Sequence, residues 1–238
     1  MASASGNGQI CVVTGVGPGT GAALVRRFAA EGYRVAMLAR DAAKLEALAR
    51  EVPGTQGYPT DVSDPAQVQE TFARIRSDMG PVRVLLHNAG NAVFGDFLAI
   101  DAEKFEQAWR VNALGLLACG QEAARDMLAA GDGAIVVTGA TAALRGGAVF
   151  AAFAPAKAAQ RSLAQSMARL LGPKGVHVAY VVVDGVIDMP TTRAFLSDRP
   201  DDFFLKPAAI ADTVLAIVRQ DRSAWTFELD VRPFGEKW

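Results

Sequence analysis

A chain of 238 residues is long enough to bury a substantial core, and we read it as one domain spanning residues 1–238. Its 24 Lys and Arg against 25 Asp and Glu give nucleic acid and anionic membrane no electrostatic claim as partners, which leaves a small molecule. Cys11 and Cys119 sit in apolar runs without CxxC spacing and read as core residues, no metal-ligating cluster exists, and no apolar run reaches membrane-spanning length. With no apolar leader at the start, the expected location is cytoplasmic and reducing.

In chain order, β-branched runs alternate with amphipathic stretches. The expected strands are ICVVTG (10–15), YRVAMLAR (33–40), TQGYPTD (55–61), VRVLLHNAG (82–90), AIVVTG (134–139), VHVAYVVVDG (176–185) and WTFELDVRP (225–233). Helical periodicity marks 21–32, 42–52, 65–78, a long stretch near 102–130, another near 152–171, and 207–219. This pattern predicts a Rossmann-like, doubly wound α/β fold with a seven-stranded parallel sheet covered on both faces. Segment 186–206 has no clean period and reads either as a mobile flap near a ligand or as a plain surface connection.

The first strand-to-helix junction, TGVGPGTG, places Gly15, Gly19, Thr20 and Gly21 where backbone N–H groups and a helix dipole attract a phosphate. The spacing does not match GxGxxG, because Thr20 holds the sixth position, and a glycine-rich turn alone is a weak signal. Position adds weight, since this is the first βα junction of an alternating chain. Asp61 and HNAG (87–90) close later strands at their carboxyl ends, where ligands bind in open α/β sheets.

These segments together resemble the short-chain dehydrogenase/reductase family over essentially the whole chain. The resemblance rests on TGVGPGTG, Asp61-Val62, Asn88-Ala89-Gly90, Asn112 in VNALG, Lys157, and Asp184-Gly185 where the family usually has Pro-Gly. It implies that Gly15, Gly19 and Gly21 bound a pyrophosphate turn, that Asp61 and Val62 border an adenine, and that Asn88, Ala89 and Gly90, with Gly185 and Ile187, lie along a nicotinamide cofactor. At the position where NAD-using relatives carry an acidic residue stands Ala39, followed by Arg40, whose guanidinium can grip a 2′-phosphate. NADP is therefore the expected cofactor, with NAD possible. Arg40 also reads as an exposed residue beside a helix capped by Asp41.

The family's tetrad of Asn, Ser, Tyr and Lys maps onto Asn112, Ala140, Phe153 and Lys157, so two of the four functional groups are missing. Lys157 keeps a second task, holding the nicotinamide ribose, against a reading as a solvated helical lysine. Asn112 also reads as the cap of a local backbone irregularity. Substitute proton donors would come from Thr138, Thr141, Asp188, Thr191 or Thr192, while Met189 takes the place of a threonine that would contact the carboxamide. His87 and His177 read as structural. The resemblance thus implies an oxidoreductase acting on a small carbonyl or alcohol with a non-standard proton donor. The rival is an NADP(H)-binding protein without turnover, a sensor or inactive subunit. Apolar residues on several faces of the helices carrying Asn112 and Lys157 predict a homodimer or homotetramer, with the aromatic tail packed in an interface.

Overall fold

The computed structural model describes residues 6–236. Chain order runs β1 (Ile10–Thr14), α1 (Thr20–Ala30), β2 (Arg34–Ala39), α2 (Ala42–Glu51), β3 (Thr55–Pro59), α3 (Pro65–Asp78) and β4 (Val82–His87). It continues with α4 (Ala102–Trp109), a π-helical turn (Arg110–Leu114), α5 (Gly115–Ala130), β5 (Gly133–Thr138), α6 (Phe153–Leu171) and β6 (Val176–Val183). After these come β7 (Val186–Ile187), α7 (Pro190–Phe195), β8 (Phe204–Leu205), α8 (Pro207–Val218) and β9 (Glu228–Val231).

Seven strands form one parallel sheet in the order β3-β2-β1-β4-β5-β6-β9. Every residue of β1 and β6 is buried, which explains why their sequences are unbroken apolar runs. Two core layers flank the sheet: one holds Phe72, Leu116 and Ile135, the other Phe28, Leu86 and Ile210. The chain order reverses direction across β1 and β4, and the crevice above their carboxyl ends is where such sheets take ligands.

Several helices start where the sequence supplies a cap. Asp64 accepts from the backbone N–H of Ala66 (3.0 Å) and Gln67 (3.2 Å) ahead of Pro65, and Asp41 accepts from Lys44 N (3.1 Å). Replacing Asp64 with Ala should cost about 1 kcal/mol of stability in a urea titration, and no measurable change would deny the cap that role.

Differences from the sequence reading have local causes. The helical stretch near 102–130 is one rod interrupted at the π turn, where Asn112 Nδ2 donates to Ala108 O (2.9 Å) and occupies a carbonyl the widened turn releases. Segment 186–206, read as a mobile flap near a ligand or a plain surface connection, holds short elements: β7 pairs with β8, and α7 lies between them. Such short elements fall below any periodicity window. The tail contributes β9, edge-paired to β6, and Arg232 reaches Asp184 at 3.4 Å. Asp184, standing where Pro was expected, therefore ties the chain end to the crevice side of the sheet. Residues 237 and 238 lie outside the described residues.

Candidate active site

The crevice has two halves that share Gly15, Gly17, Pro18, Gly90 and Asn91. One, about 350 Å³, lies over β1 and β2 and is lined by Ala39, Arg40, Asp41, Lys44, Asp61, Val62 and Ala89, among others. The other, about 560 Å³, lies over β4, β5 and β6 and takes in Thr20, Gly21, Asn88, Ala140, Phe153, Lys157, Gly185 and Ile187. Gly19 sits outside both halves, against Met189 on the outer flank.

The turn between β1 and α1 needs its glycines. At Gly15, where φ is +68°, a Cβ would fall 2.5 Å from Ala89 Cα, and at Gly21 it would fall 2.5 Å from Gly15 O. Asn88 Nδ2 donates to Gly15 O (3.0 Å) and Ala89 N donates to Thr14 Oγ1 (3.1 Å), so HNAG braces this turn across the sheet. Thr20 Oγ1, buried at the first turn of α1, has no hydrogen-bond partner. A bare loop and an unsatisfied hydroxyl at a helix N-terminus fit a phosphate group.

In the β1–β2 half two cations, Arg40 and Lys44, stand among two carboxylates, Asp41 and Asp61. Arg40 is exposed, and no acidic side chain stands at position 39. The Asp41 carboxylate is engaged by Lys44, through its backbone N–H and its ammonium at 3.0 Å, and that contact holds its pKa below the usual value. Asp61 accepts from Ser63 N (2.9 Å) and Ser63 Oγ (2.7 Å). Despite the opposing effect of burial, these bonds and the nearby Arg40 and Arg110 lower its pKa.

In the other half, Lys157 is buried on α6. Its Nζ donates to Thr138 O (3.1 Å) and Gln160 Oε1 (3.0 Å), and burial lowers its pKa to about 8. Gln160 Nε2 donates to Asn112 O (2.9 Å). Asn112 does not line the cavity; it stands behind it and donates Nδ2 to Asn91 Oδ1 (2.8 Å) as well as to Ala108 O. The reading as cap of a local backbone irregularity matches this geometry, because the side chain fills the π turn and also braces Asn91. Phe153 meets Phe94 and Phe150 edge-on, with ring centroids 5.9 and 6.0 Å away, forming an apolar wall. The Gly95–Val149 and Ala151–Gly95 backbone bonds, 2.9 and 3.2 Å, join the two loops that carry the wall.

Asn91, Gln160, Phe94 and Phe150 went unnoticed in the sequence. Gln160 lies three residues after Lys157, one helical turn on, and that spacing was the available signal.

Of the substitute donors, Asp188 points elsewhere. Arg193 grips its carboxylate at 2.7 and 2.9 Å, which lowers its pKa and keeps it ionised, and it does not line the cavity. Thr191 is likewise outside the lining, whereas Thr138, Thr141 and Thr192 are part of it. Thr192 Oγ1 already donates to Ile187 O (2.5 Å). His87 is fully buried beside Thr14 Oγ1 (3.2 Å), and burial, reinforced by the charge of Lys157, drops its pKa to about 3. At the opposite end of the sheet, His177 stacks on Trp225 at 4.8 Å and bonds Thr226 O through Nε2 (2.8 Å). Both histidines are structural.

A parallel sheet with its crevice at the switch point defines a doubly wound α/β protein of the nucleotide-binding type. The family model for short chain dehydrogenase matches residues 9–199, and the chain belongs to that family. It is 30% identical to an L-xylulose reductase of Bos taurus over 92% of each chain. With a short-chain dehydrogenase/reductase of Hericium erinaceus it shares 33% identity over 77% of this chain and 76% of that one. Among solved structures, a short-chain dehydrogenase from Rhodopseudomonas palustris is 35% identical with a TM-score of 0.81, covering 95% and 99% of the two chains. A metagenomic short-chain oxidoreductase in complex with NADP is 27% identical with a TM-score of 0.84, covering 99% and 100%. No helix among the described residues is long and apolar enough to cross a membrane.

Proposed function

We propose that this chain is an NADP-dependent oxidoreductase, a single short-chain dehydrogenase-type domain that interconverts a small apolar carbonyl and its alcohol. The observation that carries the reading is the bare Gly15–Gly21 turn, with the orphaned Thr20 hydroxyl, opening onto a cavity that holds Lys157. In this reading Gly15, Gly19, Thr20 and Gly21 cradle the pyrophosphate, Asp61 and Val62 border the adenine, and Asn88, Ala89 and Gly90 run along the cofactor. Lys157 holds the nicotinamide ribose, and Gly185 and Ile187 close the nicotinamide end. When bound, the dinucleotide supplies the hydride. Asn112 positions Asn91 and Gln160, and the Phe94–Phe150–Phe153 wall excludes water and favours an apolar substrate.

Arg40 is the proposed 2′-phosphate ligand, with Lys44 adding positive charge nearby. Converting Arg40 to Ala should weaken NADPH binding by roughly 10- to 100-fold, as loss of a charge-assisted pair implies, and leave NADH binding almost unchanged. Fluorescence titration with each dinucleotide reads this, and equal losses for both would remove Arg40 from that role.

The absent hydroxyls at Ala140 and Phe153 favour one other reading, an NADP(H)-binding protein without turnover. NADPH oxidation against a panel of aromatic and aliphatic carbonyls separates the two, since binding without any oxidation leaves only the second. Phe105, Trp109, Leu117 and Leu170 expose apolar surface on α4, α5 and α6, and we assign this face to a homodimer or homotetramer. Sedimentation would show a single monomeric species if that assignment is wrong.

A further inference from the structure

We infer that Lys157 itself donates the proton to the substrate oxygen, the task a phenol at position 153 would otherwise perform. The inference rests on the carbonyl-reducing reading above. Its geometric basis is that, among the described residues, Lys157 is the only ionisable side chain lining the cavity over β4, β5 and β6. Of the three ammonium donors, two are committed to Thr138 O and Gln160 Oε1, which leaves one N–H to serve both the nicotinamide ribose and the substrate oxygen. Gln160 cannot turn its amide around, because Nε2 would then face the ammonium and Oε1 would face Asn112 O. This fixed acceptor holds Nζ at the cavity wall, and Gly90 keeps the approach open, since even a Cβ there would lie 3.4 Å from Nζ.

Burial brings the ammonium to a pKa of about 8, so it is a far better acid near neutrality than an ordinary lysine. No charge opposes this. His87, from β4, stays neutral. Tyr180, from β6, reaches Gln160 Oε1 at 3.4 Å and has its pKa raised by burial, so it is neutral too. The Arg161–Glu228 pair on the next turn of α6 is mutually satisfied. The packed π turn contributes Asn112, its Arg110 being turned to Ser63 O and Glu106, and the 141–143 turn contributes the hydroxyl of Thr141. As the carbonyl carbon gains the hydride, its C=O π pair passes to oxygen. An N–H bond of Lys157 breaks as the O–H bond forms, directly or across one water, and solvent reprotonates the neutral amine after product leaves.

The test uses the full chain labelled with ¹⁵N-lysine. Nitrogen chemical shifts should titrate Lys157 near pH 8. Single-turnover NADPH oxidation with excess aromatic ketone should fall tenfold per pH unit above the same midpoint. Gln160→Glu places a carboxylate against the ammonium and should move the NMR midpoint and the kinetic break upward together, by a pH unit or more. Lys157→Arg, which keeps the charge but cannot release a proton at these pH values, should cut the rate more than 10²-fold when measured at an NADPH concentration that saturates that variant. A kinetic break that ignores the NMR midpoint, an Arg variant at native rate, or bound NADPH that no ketone oxidises would overturn the inference. Absence of NADPH binding would instead reject the cofactor reading, and the inference with it.

Discussion

Installing both missing hydroxyls, Ala140→Ser with Phe153→Tyr, should raise NADPH-dependent carbonyl reduction by about 10²-fold, within the range that a well-placed general acid contributes. The variant adds only two oxygens to a cavity of about 560 Å³, so the packing cost should be small and the melting temperature should stay close to the native one. A phenol at position 153 would stand one helical turn before Lys157, whose ammonium would lower the phenol's pKa and so speed proton delivery. Stopped-flow turnover on the same carbonyl panel measures the gain. An unchanged rate with NADPH bound would mean that proton transfer does not limit the native chain, and that Lys157 already matches a tyrosine.

Acid should destabilise this fold in a way that one residue dominates. His87 keeps a pKa near 3 in the folded chain, because it is fully buried and close to the Lys157 charge, while the unfolded chain takes up that proton near pH 6.5. Between those values the unfolded state binds one more proton, so the stability His87 contributes is complete above 6.5 and is lost as pH falls toward 3. The slope is about 1.4 kcal/mol per pH unit. From pH 6.5 to 5.0 the native chain should therefore lose about 2 kcal/mol more than His87→Gln, a variant that still offers Thr14 a hydrogen-bonding group. Urea unfolding at the two pH values reads the difference. Parallel losses in both proteins would show that His87 is not held neutral.

The sheet was legible because its strands are buried on both faces: ICVV and VHVAYVVV are unbroken apolar runs, the first followed and the second preceded by a turn and a helical period. The glycine turn after β1 was also legible, and Gly15 and Gly21 do stand where backbone crowding forbids a side chain. The absent hydroxyls at Ala140 and Phe153 came to light only through the resemblance to the family, whose tetrad spacing falls on those positions. What escaped depends on contacts between distant segments. Nothing in the sequence joins Asn112 to Gln160, 48 residues apart, or places Phe94 beside Phe150. The last strand was legible as WTFELDVRP, but not its partner: β9 pairs with β6, whose sheet edge offers the nearest backbone groups, and Arg232 closes on Asp184. Asp188 looked like a free acid until α7 folded Arg193 back onto it.

A structure determined with saturating NADPH is the most direct trial of the central claim, that a dinucleotide lies across the β1–β4 switch point. The diphosphate should rest on the Gly15–Gly21 turn within reach of Thr20 Oγ1, with the 2′-phosphate at Arg40 and the nicotinamide between Ala140, Phe153 and Lys157. Density for the dinucleotide anywhere else, or an empty crevice at saturation, would contradict the account.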